Sequence, residues 1–476
     1  MAQFRRFGFP KRLKSNLVSS IQYPASSIPH PVSVASCVTS VSHSPLPQGS
    51  LVLYPRRSTL SARLLRRAIR FVNEPQDISF RPVMTTRLSV MMFLQFFIFG
   101  AWYVTVGNFM AEAGMTDLIY WAYTVGPIAA VVSPFFFGVI ADRFFAAEKM
   151  LGVLGLLGAL AMYGAARVGG SHPMAFLLLL QAHTLCYFPT IGLSYALAFH
   201  HIADRQRQFP VIRAFGSIGW ITAGIVVSGL LAADHTVVPL QGAAGASVLF
   251  ALYSFTLPHT PPPARGEPVS VRQILGVDAL RQLKSRSFIV FMVCTTLISI
   301  PLAAYNTYAP VFLVAVDLSN PGFKMTFGQM VEVLIMFAMP MLFLRMRFKT
   351  MFLAGLAVWG LRYVFFAVAA PAASLWLIMI GILLHGFCFN FVYVAGRIYV
   401  DQQAHAAIRG QVHGFLVVVT LGIGQLLGAP LSGWLFKHLL GNSAQALEAW
   451  QSFWIVPAGF CFLVMGLFGW FFKEDR

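Results

Sequence analysis

From residue 88 onward, long apolar runs alternate with short polar breaks. The pattern predicts twelve helical spans, over 88–110, 117–140, 149–168, 174–200, 211–232, 240–257, 287–313, 325–345, 350–370, 373–399, 410–437 and 449–472. Roughly 18 or more consecutive apolar residues make a helix long enough to cross the hydrocarbon core. Most breaks are only a few residues long. The exception, PHTPPPARGEPVSVRQILGVDALRQLKSR at 258–286, opens rich in proline and ends as a basic stretch with helical spacing. It divides the spans into an N-terminal bundle, 84–257, and a C-terminal bundle, 287–476. Residues 1–83 are rich in Ser, Pro and Arg and contain no run of spanning length. Such a segment cannot bury enough apolar surface to fold by itself. It reads as a disordered basic tail or as sequence upstream of a start at Met84, with an Arg-rich targeting peptide as the competing explanation.

Composition supports the membrane assignment. The chain is 57% hydrophobic and 11% charged, with a mean hydropathy of +0.71, whereas soluble domains are about 25% charged. The expected class is an all-α membrane protein. The net charge of +18 is no nucleic-acid signature, because residues 1–87 alone hold 13 Lys and Arg against Glu74 and Asp77. Among the breaks, one alternating set carries most of the basic residues, from Arg143 to Arg409 and including Arg397. The other set carries only Arg167, Lys324 and Lys437. Basic short loops stay on the cytoplasmic side, so both termini and the central linker are expected inside. The five cysteines form no close pairs and no metal-binding spacing.

The halves echo one another. HTLCYF (His183 to Phe188) in span four and HGFCFN (His385 to Asn390) in span ten both place His and Cys three apart, ahead of an Ile-Arg pair (Ile212-Arg213 and Ile408-Arg409). Six plus six spans with such an echo suit the duplicated halves of secondary transporters.

Polar groups inside apolar runs are the candidate chemistry. In MTFGQMVEVLIMFAMPMLFLRM (Met325 to Met346), Gln329 and Glu332 are three apart and share a helix face. Glu332 lies about 20 Å along the helix from Arg345 at 1.5 Å per residue. A charge at that depth costs about 2.5–3.5 kcal/mol even on lenient scales, so the face must turn to the bundle or to a wet cavity. Either a hydrogen bond to a neighbouring helix or a transport role would explain it. In span five, Arg213, Ser217 and Trp220 form one stripe, although Arg213 lies near enough to the helix start to reach the interface. Span seven contains Pro301 and Pro310 with Tyr305, Asn306 and Tyr308 between them. The adjacent His200 and His201 cannot share a helix face and read as interfacial. A phosphate-binding loop, a His/Cys metal cluster and a nucleophile–base pair are all missing from the sequence. It is therefore not expected to be an enzyme, to need a cofactor or metal, or to use ATP.

GVIADRFFAAEKML (Gly138 to Leu151) resembles the signature loop of the major facilitator superfamily, with Phe145 where a glycine is usual. FLQFFIFGAWYVTVGNFM (Phe93 to Met110), FPVIRAFGSIGW (Phe209 to Trp220), LPHTP (Leu257 to Pro261) and GLRYVFFA (Gly360 to Ala367) resemble the nucleoside/proton symporters within that superfamily. The resemblance spans roughly residues 88–473. It implies the major facilitator fold: twelve transmembrane helices in two six-helix pseudo-repeats. It also implies proton-coupled import of nucleosides across the inner membrane by alternating access. The partners implied are a nucleoside or similar small polar solute, the proton and the lipid bilayer, with no nucleic acid. Carried onto this chain, the family's substrate positions are Arg213, Ser217, Trp220, Asn306, Gln329, Glu332, His385, Phe389 and Asn390. Glu332 is the proton-coupling candidate. Gly138, Asp142 and Arg143 form a gating latch. Site positions depart from the family: Ala303 stands where a Gln is expected, Asn390 where an acid is expected, and His385 where a Tyr is common. These departures leave open a carrier for another polar solute, such as a sugar or cell-wall fragment. A transporter-fold sensor or enzyme is the remaining alternative.

Overall fold

The computed structural model describes residues 82–133, 145–203, 205–262, 285–403, 412, 415–441 and 446–474. Every regular element among them is helical. In hydrocarbon only helices or closed barrels satisfy their own backbone groups, and among the described residues each of the twelve apolar runs contributes a helix. We number them α1 (Pro82–Tyr103, continuing as Val106–Glu112), α2 (Ile119–Ser133), α3 (Ala147–Val168), α4 (Pro173–His201), α5 (Arg205–Gly224, ending in a π-helical turn Ile225–Leu230) and α6 (Val238–Ser254). The second half comprises α7 (Arg286–Ala315), α8 (Pro321–Arg345), α9 (Phe348–Ala369), α10 (Leu375–Phe389, a π-helical turn Asn390–Val394, then Ala395–Gln403), α11 (a π-helical turn Val418–Gly424, then Gln425–Leu439) and α12 (Leu447–Phe471). Among the described residues, ten helices are long and apolar enough to cross a membrane. The shorter α6 and α2 complete the twelve.

Local chemistry sets several ends. Ser285 caps α7, its hydroxyl accepting from the Phe288 amide at 3.1 Å. Between α7 and α8 the chain turns through Asp317 and Asn320 with φ of +58° and +51°, a region these two residue types tolerate. Pro321 then opens α8, where its missing N–H costs nothing.

Helix pairing repeats between the halves. The contacts of α1 with α5 and α6, of α3 with α4 and α6, and of α2 with α4 recur as α7 with α11 and α12, α9 with α10 and α12, and α8 with α10. This is the two-fold pseudo-repeat of a twelve-helix major facilitator bundle. The halves meet through α2 against α11, α5 against α8 and α1 against α7. Small residues permit such approaches in lipid. A Cβ on Gly224 of α5 would sit 2.4 Å from Thr326 Cγ2 of α8.

Polar ties fix helices that lipid alone would not hold together. Gln95 of α1, fully buried, donates from Nε2 to Thr190 Oγ1 at 2.6 Å and accepts from Ser194 Oγ at 2.7 Å. The Tyr187 hydroxyl donates to the Gln95 carbonyl at 2.8 Å. Glu148, at the start of α3, receives the Thr260 amide and the His259 ring, each at 2.9 Å. That contact pins the chain beyond α6 to α3.

Candidate functional site

The site is built where α8 meets α10. Gly386 of the HGFCFN motif allows the approach: a Cβ there would lie 2.5 Å from the Glu332 amide nitrogen and 2.6 Å from the Val331 carbonyl carbon. Asn390, fully buried, ties the same helices by donating from Nδ2 to the Glu332 carbonyl at 2.9 Å and to the Gly386 carbonyl at 2.8 Å. Its Oδ1 is buried without a partner. The π-helical turn beginning at Asn390 widens α10 here, as such turns often do at functional sites.

Glu332 therefore sits beside His385, with Nε2 to Oε2 at 3.9 Å and side chains 16% and 7% exposed. Two cations act on its charge, Arg213 of α5 and Arg397 of α10. Neither forms an ion pair with Glu332. Arg213 lays its guanidinium over the Phe96 ring at 4.4 Å, and its Nη1 has no hydrogen-bond partner. Arg397 also interacts electrostatically with Tyr195 of α4 and Arg213 of α5. Sequence grouped Arg397 with the loop charges; it lies in the last helical segment of α10, Ala395–Gln403, one of the two cations whose charge acts on Glu332.

His385 has a second neighbour. Arg362 of α9, 0% exposed, approaches His385 Nδ1 at 3.0 Å from Nη1 and donates also to Cys388 Sγ at 3.5 Å. Its guanidinium lies 3.5 Å above the Tyr305 ring, and Tyr305 stacks on His385 at 5.5 Å. A cation over an aromatic face recovers part of its lost hydration. The GLRYVFFA string contains Arg362, but nothing in that string marks it as a partner of His385, because the contact joins α9 to α10.

On the N-terminal side, the half-buried Trp220 packs against Phe99 at 5.5 Å and Tyr103 at 6.1 Å. Asn306 of α7 reaches Tyr103 Oη and Gln425 Oε1, each at 3.5 Å, so it touches both halves. Phe389 lies between His385 and Tyr393, at 5.5 and 5.1 Å. Ser217 and Gln329 are partly exposed. Ala303 is 1% exposed, and a Cβ on Gly428 of α11 would meet its Cβ at 2.7 Å. Here α7 and α11 are in close contact. Gly138, Asp142 and Arg143 lie outside the described residues.

The repeat echo separates in its contacts. His183 brings its Nδ1 to the Gly158 carbonyl at 2.9 Å, tying α4 to α3. Its counterpart His385 meets Arg362 and Glu332 instead. Among the described residues, no group of His, Cys, Asp and Glu has the arrangement of a metal site.

Known proteins agree with this architecture. YegT of Escherichia coli K12 is 36% identical over 403 residues, covering 82% of this chain and 94% of YegT. The xanthosine permease of the same organism is 30% identical, covering 82% of this chain and 96% of its own length. The crystal structure of the nucleoside transporter NupG superposes with a TM-score of 0.72 at 26% identity, covering 82% of this chain and all of that one. The family model described as nucleoside H+ symporter matches residues 83–476, and the chain belongs to that family.

Proposed function

We propose that this protein imports nucleosides across the inner membrane together with protons, by alternating access, and that Glu332 links the two fluxes. The supporting observation is the placement of Glu332: a carboxylate inside a span, turned toward the meeting of α8 and α10, beside His385 and under the influence of Arg213 from the opposite half. A carboxylate held so can accept a proton when it faces one side and lose it when its cationic neighbours or its hydration change. A nucleoside suits the remaining groups. Its vicinal ribose hydroxyls fit carboxylate, amide and guanidinium partners, which Glu332, Gln329, Asn306 and Arg213 provide. Its base presents a flat face to Trp220 or Phe389, a type of stacking worth about 1–3 kcal/mol per base. The six-helix halves, 84–257 and 287–476, would rock about this cleft, with 258–286 as their linker.

The substitutions Ala303 and Asn390 favour one competing assignment within carriers, another polar solute. Uptake of radiolabelled uridine and adenosine into cells lacking their own nucleoside permeases separates the two. Accumulation abolished by an uncoupler is expected. Absence of nucleoside uptake, with the protein inserted in the membrane, overturns the proposal.

A further inference from the structure

We propose that Arg362 is a positioning residue for proton coupling: it holds His385 as the neutral Nε2–H tautomer, so that the ring donates toward Glu332 and does not itself carry the proton. This rests on Glu332 as the coupling acid, but the tautomer follows from geometry alone.

A guanidinium has donors only and keeps its proton. Arg362 Nη1 stands 3.0 Å from His385 Nδ1, so Nδ1 must accept. A neutral imidazole accepting at one nitrogen carries its hydrogen on the other. Nε2–H therefore points to the side where Glu332 Oε2 lies 3.9 Å away. That gap is longer than a hydrogen bond, and such contacts commonly tighten when a site is occupied. Adding a second proton to His385 would put an N–H on Nδ1 directly against the N–H of Arg362, two donors and two positive charges face to face. His385 is thus closed as a proton carrier. The proton that moves with substrate goes from cavity water to the Glu332 carboxylate and leaves from there, and His385 keeps its own hydrogen throughout.

Every group packed on the pair agrees. Tyr305 of α7 stacks on the ring of His385 and lies under the Arg362 guanidinium. Cys388, on the same helix as His385, takes a further Arg362 donor. Arg213 and Arg397 bear on Glu332 from α5 and α10. His183 is the internal contrast. Its Nδ1 faces the Gly158 carbonyl at 2.9 Å, which can only accept, so that ring must carry its hydrogen on Nδ1. Two histidines at equivalent places in the repeat hold opposite tautomers because one meets a carbonyl and the other a guanidinium.

The test is nitrogen NMR of full-length protein in lipid nanodiscs with 15N-labelled histidine, each signal assigned by its loss in His385→Asn or His183→Asn. In the wild type, His385 is expected to show a protonated Nε2 and bare Nδ1, with no imidazolium from about pH 5 to about pH 8, the range in which an ordinary histidine titrates. His183 should show the reverse tautomer. A protonated Nδ1 or an imidazolium at His385 in that range overturns the inference, whatever Glu332 does in transport. Arg362→Gln should let His385 titrate within that range and add a second inflection to the pH profile of uptake, and Arg362→Lys, which restores a cationic donor, should remove that inflection. An Arg362→Gln protein whose His385 stays in the wild-type tautomer with an unchanged pH profile also overturns it. Evidence that Glu332 does not couple, with the tautomers as described, would instead remove the functional proposal and with it the coupling role of Arg362, and leave only the tautomer assignment standing.

Discussion

Asp234 offers a direct handle on the contact between the halves. It lies between α5 and α6, is 2% exposed, and its carboxylate accepts from Ser228 Oγ at 2.7 and 2.9 Å. Its Oδ1 also accepts from the backbone amide of Gly322, in the first turn of α8, at 3.0 Å. The Ser228 contacts stay within the N-terminal half. The Gly322 contact crosses to the other half and ends on a helix N-terminus, where negative charge is favoured. A hydrogen bond to a charged group contributes about 1.5–3 kcal/mol. Asp234→Ala should therefore weaken closure of this end by that amount, raising the population open there about 10- to 150-fold at 1.4 kcal/mol per tenfold. The assay is the rate at which a membrane-impermeant maleimide labels Thr326→Cys, a position 2% exposed beside Gly224, in a background without the native cysteines. Asp234→Asn keeps an acceptor oxygen and should fall between Ala and the parent. A labelling rate in Asp234→Ala within about two-fold of the parent means the bond does not bias the equilibrium, and the gate argument fails.

Other expectations follow from the same contacts. Gly386→Ala should force α8 and α10 apart, because the new methyl meets backbone at 2.5 and 2.6 Å; overpacking of this kind costs about 1–3 kcal/mol, and an unaltered melting temperature in detergent would refute the packing argument. Gln95→Leu should destabilise the α1–α4 contact by about 1–2 kcal/mol, read by the same melt, since it strips partners from Thr190 and Ser194. A protein starting at Met84 should insert and transport like the full chain, and failure of insertion would favour a targeting role for residues 1–83. A fluorescent protein fused after Arg476 should glow and alkaline phosphatase fused there should be inactive; an active phosphatase reverses the proposed orientation.

The spans are legible in the sequence because a backbone in lipid must satisfy itself, which leaves an apolar run little choice but helix. The break at 258–286 and the six-plus-six count give the halves. Glu332 and Gln329 stand out for a similar reason, as polar residues too costly to leave facing lipid. What surrounds them is less legible. Arg362 sits in an apolar helix with no periodic partner, and its meaning comes only from α10 packing beside α9. Arg397 looks like an end-of-span charge, and its electrostatic partners Glu332, Arg213 and Tyr195 come from α8, α5 and α4. Asn390 reads as a lost acid, while in the fold its amide is a tie between α8 and α10. His183 and His385 look equivalent by spacing, yet their neighbours give them opposite hydrogen-bonding roles. Long-range pairing decides each of these, and no local pattern encodes it.

The central claim, that Glu332 is the acid linking proton and substrate, is tested most directly by Glu332→Gln. The substitution keeps size and most hydrogen-bonding capacity and removes the titrating group. Uptake of labelled uridine into proteoliposomes, with and without an imposed proton gradient, is measured alongside exchange of internal for external uridine. The expected result is loss of gradient-driven accumulation, with exchange retained where binding survives. Accumulation against a gradient by Glu332→Gln, with wild-type pH dependence and uncoupler sensitivity, would show that Glu332 is a tie between helices and that the proton travels elsewhere.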